Sequence, residues 1–393
     1  AGAGGREAAA KTETSLATVP MHLEDNVPIV ELDFPRAGGG RSRARFTVDT
    51  GGGAFILSRR LAAEIGLERV GEEFDAEGAR LVGARAPRAL LGGMALDLDG
   101  AQVLIDLSKG GFNARDASEG LLPGRVLRHY QVVFDYPARL FTLARPGRMP
   151  PSGTRLPSPI HPESGFPRIE LTIDGEAHGF LLDTGGSCTM VSRELLGSLL
   201  ARHPEWPRLT GAVGEANMFG GKMEAEALLL RLRGLSWGSF ELQGTVAVSR
   251  PPGTFEKGMS PLMTAPIAGS LAGNALRAFR VEIDYAQGAV YLTKAPPAAD
   301  TEGHDLDLVG LTLTPQADGG RVVAAVSAQN APEVVKGVQV GDKLLRIDGL
   351  SVEGKALGLL AEALRGKPGD VHVLGLERAG RRVEVRAPVV RLL

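Results

Sequence analysis

The chain has 393 residues, with 44 Lys and Arg against 46 Asp and Glu, a formal charge of −2, 43% hydrophobic residues and a single cysteine, Cys188. A chain of this length exceeds what one hydrophobic core supports, so several domains are expected. The balanced charge gives no electrostatic reason for nucleic acid or an anionic membrane as partner, one cysteine excludes an intramolecular disulfide, and no apolar run approaches the ~18 residues of a membrane span.

Residues 1–24 open with AGAGGREAAAKTETS, which has neither the basic nor the apolar stretch of a signal peptide, and read as a flexible leader. A first lobe is expected over 25–147. Within it an apolar run from Phe46 leads to Asp49-Thr50-Gly51, then to Ser58, placed to cap an amphipathic helix over 59–65. The lobe closes with GLLPGRVLRHYQVVFDYPARLFTL from Gly120, where alternating apolar residues meet Asp135-Tyr136 at a turn, a hairpin pattern. Residues 148–165, dense in Pro, Gly and Ser, read as an inter-lobe connection with no strand or helix ladder. A second lobe follows over 166–295, then a break rich in Pro and Ala, and a third domain over 303–393.

Two internal repeats support this division. FTVDTGGGAFILSRRL from Phe46 matches FLLDTGGSCTMVSREL from Phe180, an offset of 134 residues (49 to 183) that also relates Ser58 to Ser192, the expected cap of a helix over 193–200. The closing segment matches GSLAGNALRAFRVEIDYAQGAVYL from Gly269, an offset of 149 (120 to 269). Asp135 and Asp284 therefore read as turn residues. In each half Asp49 or Asp183 ends an apolar strand and precedes glycines that permit a sharp turn. One Asp-Thr-Gly is as readily an ordinary strand-closing turn; two in matching lobes point to paired carboxylates. Such a pair shares one proton, because like-charge repulsion separates the two titrations: the ionised member takes a proton from water and the protonated member donates to a carbonyl oxygen.

The two motifs, the lobe order and the Asp-Tyr hairpins resemble the retropepsin-like aspartyl peptidases common in bacteria, over roughly residues 27–292. The resemblance implies a mainly β, bilobal acid-protease-like fold built from two homologous lobes in one chain, so that no oligomer is needed to complete the site. It implies Asp49 and Asp183 as the catalytic pair, Thr50 and Thr184 bracing the two loops through their hydroxyls, Gly51 and Gly185 permitting the loop geometry, and no cofactor or metal. Gly52 and Gly186 stand where the family has Ala or Ser. Loss of a hydroxyl donor there removes a bond that would lower the carboxylate pKa, so an activity optimum less acidic than that of pepsin-like relatives is expected. The family's glycine after an apolar pair is displaced by one residue, with Pro123 and Ala272 in its place and Gly124 and Gly273 following. The substrate-covering flap is assigned to a segment around Gly78 (77–83) and to TGAVGEANMFGGK from Thr210, with Met218 and Phe219 at its tip; a surface hairpin remains an equal reading of the latter.

The third domain, with VGLTLTP, QVGDKLLRIDG and an apolar helix over 357–364, resembles a bacterial PDZ domain. The resemblance implies capture of a peptide C-terminus by a carboxylate loop at Leu308, Val309, Gly310 and Leu311, with the helix as the other wall of the groove. Seven scattered histidines lack a metal-binding spacing, Cys188 reads as a small buried residue, and the glycines at 38–40 lack the Lys-Ser or Lys-Thr of a phosphate loop. The expected function is aspartic endopeptidase, with a protein or peptide substrate recruited or controlled through the PDZ domain. The competing readings are an inactive peptide-binding relative and a zymogen-like state with the cleft filled by the leader or the PDZ domain. An extracytoplasmic setting is expected.

Overall fold

The computed structural model describes residues 14–76, 79–108, 118–210, 227–296, 304–316 and 318–393. The chain is mainly β, and its strands follow from two-residue periodicity: in Val27–Pro35, Val30, Leu32 and Phe34 are buried while Glu31 between them faces solvent. Among the described residues six short α-helices interrupt the strands: α1 (Arg59–Glu64), α2 (Gly124–Leu127), α3 (Arg193–Arg202), α4 (Gly273–Leu276), α5 (Pro332–Gly337) and α6 (Leu357–Leu364). The hydroxyls of Ser58 and Ser192 accept from the amides of Leu61 and Leu195, each at 3.1 Å, so both serines cap their helices as expected. Helix α3 runs two residues beyond the expected 200, and α6 spans the expected 357–364.

The two lobes repeat one sheet topology. In the first, Gln102–Asp106, Ala54–Ser58, Gly120–Pro123 and Arg41–Asp49 lie side by side; in the second, Val246–Arg250, Thr189–Ser192, Gly269–Leu271 and Glu176–Leu182 occupy the same places. The strand ending in each Asp-Thr-Gly runs parallel to the lobe's closing strand: Val48 pairs with Leu122 and Leu181 with Ser270. Here β-branched and leucine-rich segments are buried on both faces, as central parallel strands require. Mainly β and bilobal, with two like lobes in one chain, is thus the observed fold class.

A six-stranded sheet joins the lobes. Gln131–Asp135 and Phe279–Asp284 pair antiparallel at its centre, and Val133 faces Glu282, its own counterpart at the 149-residue offset. The pseudo-two-fold axis relating the lobes therefore passes between these two residues. Leu140–Ala144 and Ala289–Lys294 flank the central pair, and Leu16–Pro20 and Thr154–Pro157 form the outer edges. This corrects two expectations. Residues 16–24 of the leader carry strands, and the inter-lobe connection carries one too. Pro20 and Pro157 are compatible with both because an edge strand leaves one row of N–H groups unpaired.

The segment from Asp307 onward forms a separate sheet, Leu311–Pro315, Arg321–Val326, Lys343–Ile347, Val371–Arg378 and Arg381–Pro388, with α5 and α6 packed around a core that includes Val323, Leu344, Leu360 and Leu374. Arg378 grips the buried Asp342 with two bonds of 2.7 Å. This unit seats on the second lobe: Leu306, Leu308 and Leu392 share an apolar cluster with Leu181, Met190 and Phe255. Arg231 donates to the carbonyl of Leu393 at 3.0 Å.

Candidate active site

Asp49 is the last residue of Arg41–Asp49, and Asp183 directly follows Glu176–Leu182, so each carboxylate leaves its sheet where the two parallel strands of its lobe end together. The two loops then cross-brace. The Thr50 amide donates to Thr184 Oγ1 (3.1 Å) and the Thr184 amide to Thr50 Oγ1 (3.0 Å). Each hydroxyl donates onward to a strand carbonyl of the opposite lobe, Thr50 to Leu182 (2.5 Å) and Thr184 to Val48 (2.7 Å). Both threonines are fully buried, so the four bonds satisfy groups that would otherwise be desolvated without partners.

This bracket brings the two carboxyl groups into hydrogen-bond contact with each other. Gly51 donates to Asp49 Oδ1 (2.8 Å) and Gly185 to Asp183 Oδ1 (3.0 Å). The glycines are required by cross-lobe approach: a Cβ on Gly185 would lie 2.2 Å from Asp49 Cγ, and one on Gly51 would lie 3.1 Å from Asp183 Oδ1. Burial raises the Asp183 pKa above the ordinary carboxylate value, against the lowering pull of Asp49 and the amides of Gly185 and Gly186. Asp49 is the more exposed of the two adjoining carboxyl groups, and Asp183 is buried.

The structure therefore brings together Asp49, Thr50, Gly51, Asp183, Thr184 and Gly185. Gly78, Met218 and Phe219 lie outside the described residues. Gly52 is closed to a larger residue, since a Cβ there would meet Leu121 Cδ2 at 2.5 Å. The displaced glycines have a steric reason: a Cβ on Gly124 would lie 2.5 Å from the Thr50 carbonyl oxygen, and one on Gly273 would lie 2.2 Å from that of Asn26. Asp135 and Asp284 accept from the amides of Ala138 (3.0 Å) and Gln287 (3.1 Å), as turn residues do. Cys188 is buried, as expected.

Two residues near the site escaped sequence reading. The hydroxyls of Tyr136 and Tyr285 are buried and have no hydrogen-bond partner among the described residues. Burial raises both pKa values, and so does a carboxylate of the opposite half, Asp183 for Tyr136 and Asp49 for Tyr285. The repeated Asp-Tyr dipeptide, Asp135-Tyr136 and Asp284-Tyr285, carries the signal for them in the sequence.

In the C-terminal unit, Leu308, Val309, Gly310 and Leu311 are all buried. The Val309 amide donates to the Leu364 carbonyl (2.9 Å) and the Gly310 amide to Asn330 Oδ1 (2.8 Å). Those two N–H groups are thus spent internally and do not offer themselves to a terminal carboxylate, contrary to the role expected of them.

Among the described residues, no group of His, Cys, Asp and Glu is arranged to hold a metal ion, and no helix is long and apolar enough to cross a membrane. No family model matches the sequence. A 95-residue stretch is 26% identical to a protein named "Probable CtpA-like serine protease" from Staphylococcus saprophyticus, covering 24% of this chain and 19% of that protein; the chain thus spans about a fifth of its curated relative. Among solved structures, the aspartic proteinase from Irpex lacteus superposes with a TM-score of 0.46 at 12% identity, covering 73% of this chain and 100% of that one.

Proposed function

We propose that the chain is an aspartic endopeptidase whose water is activated by Asp49 and Asp183. The observation that carries this reading is the reciprocal threonine bracket, which holds two carboxyls from different lobes in contact. In the proposed reaction Asp49, the more exposed member, takes a proton from water as that oxygen attacks the scissile carbonyl. Asp183, protonated by virtue of its burial, donates to the carbonyl oxygen, giving a neutral tetrahedral diol. Return of the proton from the diol to Asp183 and transfer of the Asp49 proton to the leaving nitrogen break the C–N bond and restore the pair. The protease name of the Staphylococcus relative supports peptide-bond hydrolysis in general terms.

The C-terminal unit is read as a PDZ-type module that recruits or controls substrate. Its support is the place of Leu311–Pro315 at the end of the sheet order, the kind of strand to which an extended peptide adds. With the Val309 and Gly310 amides engaged, binding there would rest on strand pairing and side-chain contacts more than on carboxylate capture. The test of function is cleavage of a broad peptide library across pH by the parent, Asp49→Asn and Asp183→Asn. Each substitution is expected to reduce kcat by about 10³-fold or more while leaving the fold intact. Activity surviving both would overturn the mechanism, and an inactive parent that still binds peptides would favour the non-catalytic reading.

A further inference from the structure

A third, shorter internal match becomes visible only in three dimensions. Strand Val27–Pro35 in the first lobe corresponds to Arg168–Ile173 in the second, and the turns entering them read Asp25-Asn26-Val27-Pro28 and Ser164-Gly165-Phe166-Pro167. Asn26 and Gly165 both sit in the left-handed region, at φ 67° and 75°. Each turn crosses to the opposite lobe and packs on the glycine that opens its short helix. Asn26 lies against Gly273 at the start of α4, and Gly165 against Gly124 at the start of α2.

Those glycines abut the catalytic loops. In the second lobe Gly273 donates to the Gly186 carbonyl (2.9 Å) and Asn274 to that of Ser187 (3.1 Å), the residues that follow Asp183-Thr184-Gly185. Asn26 also donates its Nδ2 to the Ser187 carbonyl (3.4 Å). The turn thus supports the Asp183 loop from behind, both directly and through α4.

Beyond this the halves diverge. In the first half the arginine of α2's C-cap, Arg128, is half-buried and donates to the carbonyls of Pro162 (2.6 Å) and Glu163 (3.5 Å). In the second half its counterpart Arg277 is bound to Asp305 by bonds of 2.7 and 3.1 Å. The Asp25 amide donates to Glu362 Oε1 (2.6 Å), the Asp25 carboxylate accepts from Arg365 (2.6 Å), and Arg365 Nε donates to the Asp305 carbonyl (3.3 Å). Glu362 belongs to α6 and Arg365 is its C-cap. Asp25 is only 2% exposed, so this ion pair is largely screened from water and holds its geometry far better than a surface pair.

We propose that Asn26 is a positioning residue for the Asp183 loop and that Glu362 and Arg365 of the C-terminal unit hold it there, so that this unit governs one catalytic carboxylate and not the other. The proposal rests on the reading of Asp183 as catalytic. Movement of α6 on peptide docking at the neighbouring sheet edge would then reach the dyad through two linked contacts, Glu362/Arg365 to Asp25 and Asn26 to Ser187 and Gly273.

The test uses the full chain with Glu362→Ala, Glu362→Gln, Arg365→Ala and, as the first-half control, Arg128→Ala. Two readouts are needed: amide hydrogen exchange over 183–189 and over 49–55, and kcat and KM for a peptide cleaved by the parent. Glu362→Ala and Arg365→Ala are expected to speed exchange over 183–189 by about tenfold and to lower kcat by a similar factor with KM little changed, within the usual range of coupling between sites. Glu362→Gln retains an acceptor for the Asp25 amide and should match the parent, and Arg128→Ala should leave 183–189 as it is. Unchanged exchange over 183–189 in both alanine variants overturns the proposal; so does equal loosening of 49–55, the mark of general destabilisation. A parent that cleaves nothing overturns the peptidase reading alone, since the exchange data still decide whether α6 positions the loop.

Discussion

The turns at 25–28 and 164–167 occupy equivalent places in two lobes of the same topology, yet they do different jobs. The second is finished from the lobe it enters: the Ser164 hydroxyl accepts from the Phe166 amide (3.1 Å) and donates to the Leu262 carbonyl (2.8 Å). The first is finished from 337 residues away, by Glu362. Duplication supplies two copies of a support, and each copy can then be completed by whatever chain lies nearby. A symmetric frame is therefore no guarantee of symmetric control over the carboxylates it carries.

The most forceful way to probe that comparison is through the bracket, where the halves remain equal. Thr50→Val and Thr184→Val each remove a hydroxyl that accepts one amide and donates to one carbonyl, leaving buried partners unsatisfied. A loss of about 2–4 kcal/mol in unfolding free energy is expected for either. Chemical denaturation should give matching values, and a clear inequality would mean that the lobes no longer share the load evenly.

Next come the residues after Asp-Thr-Gly, where the halves separate. Gly52→Ser places a Cβ 2.5 Å from Leu121 Cδ2 and should cost about 1–3 kcal/mol by overpacking. Gly186→Ser meets Ala272 Cβ at 3.1 Å, a contact relieved by a small shift, and sets a hydroxyl near Asp183. A donor there favours the ionised carboxylate and lowers a pKa that burial now holds up. In the proposed mechanism Asp183 acts while protonated, so a lower pKa means that it surrenders its proton at lower pH, and the basic limb of kcat against pH should move toward acid. A limb that stays put would assign the proton to another group.

The smallest effect concerns the turns themselves. Gly165→Ala puts a Cβ at φ 75° and 2.9 Å from the Gly124 carbonyl oxygen, so a thermal shift equivalent to about 1–3 kcal/mol is expected. Asn26→Gly keeps the backbone conformation and deletes the side-chain bonds that Asn26 donates to Ser187 (3.4 Å) and accepts from Arg277 (3.4 Å), for which about 0.5–1.5 kcal/mol is expected. Reversal of that order would mean that Asn26 acts through its side chain more than through its backbone.

Much of this arrangement was legible in the sequence because it was written twice. The strand-loop-strand segments around Asp49 and Asp183 and the closing hairpins kept enough identical residues, at constant offsets, to expose both the lobes and the meeting of the two Asp-Thr-Gly loops. Serines before helical periodicity located α1 and α3 for a local reason, the capping of free amides. The turns at 25–28 and 164–167 stayed hidden because they share only a proline; what they preserve is a left-handed φ, which Asn and Gly reach by different means. The outer strands Leu16–Pro20 and Thr154–Pro157 were missed for another reason. Their partners lie 120 or more residues away, and composition near a proline reports local stiffness, not distant pairing. The C-terminal unit's internal use of the Val309 and Gly310 amides depends on Leu364 and Asn330, which no local pattern connects to them.

At the axis, Val133 faces Glu282. Glu282 is completely buried, yet its carboxylate is provided for by Gln131 (2.5 Å), Arg280 (2.8 Å) and the Ser152 amide (3.3 Å). Were the lobes two copies of one chain, whatever stood at this position would meet itself: two valines, or two enclosed glutamates with charge opposing charge. Covalent fusion releases the axis from that rule. One side can be apolar and the other anionic, so the seam between the lobes is directional, and the same freedom lets a single appended domain address one carboxylate of an otherwise matched pair.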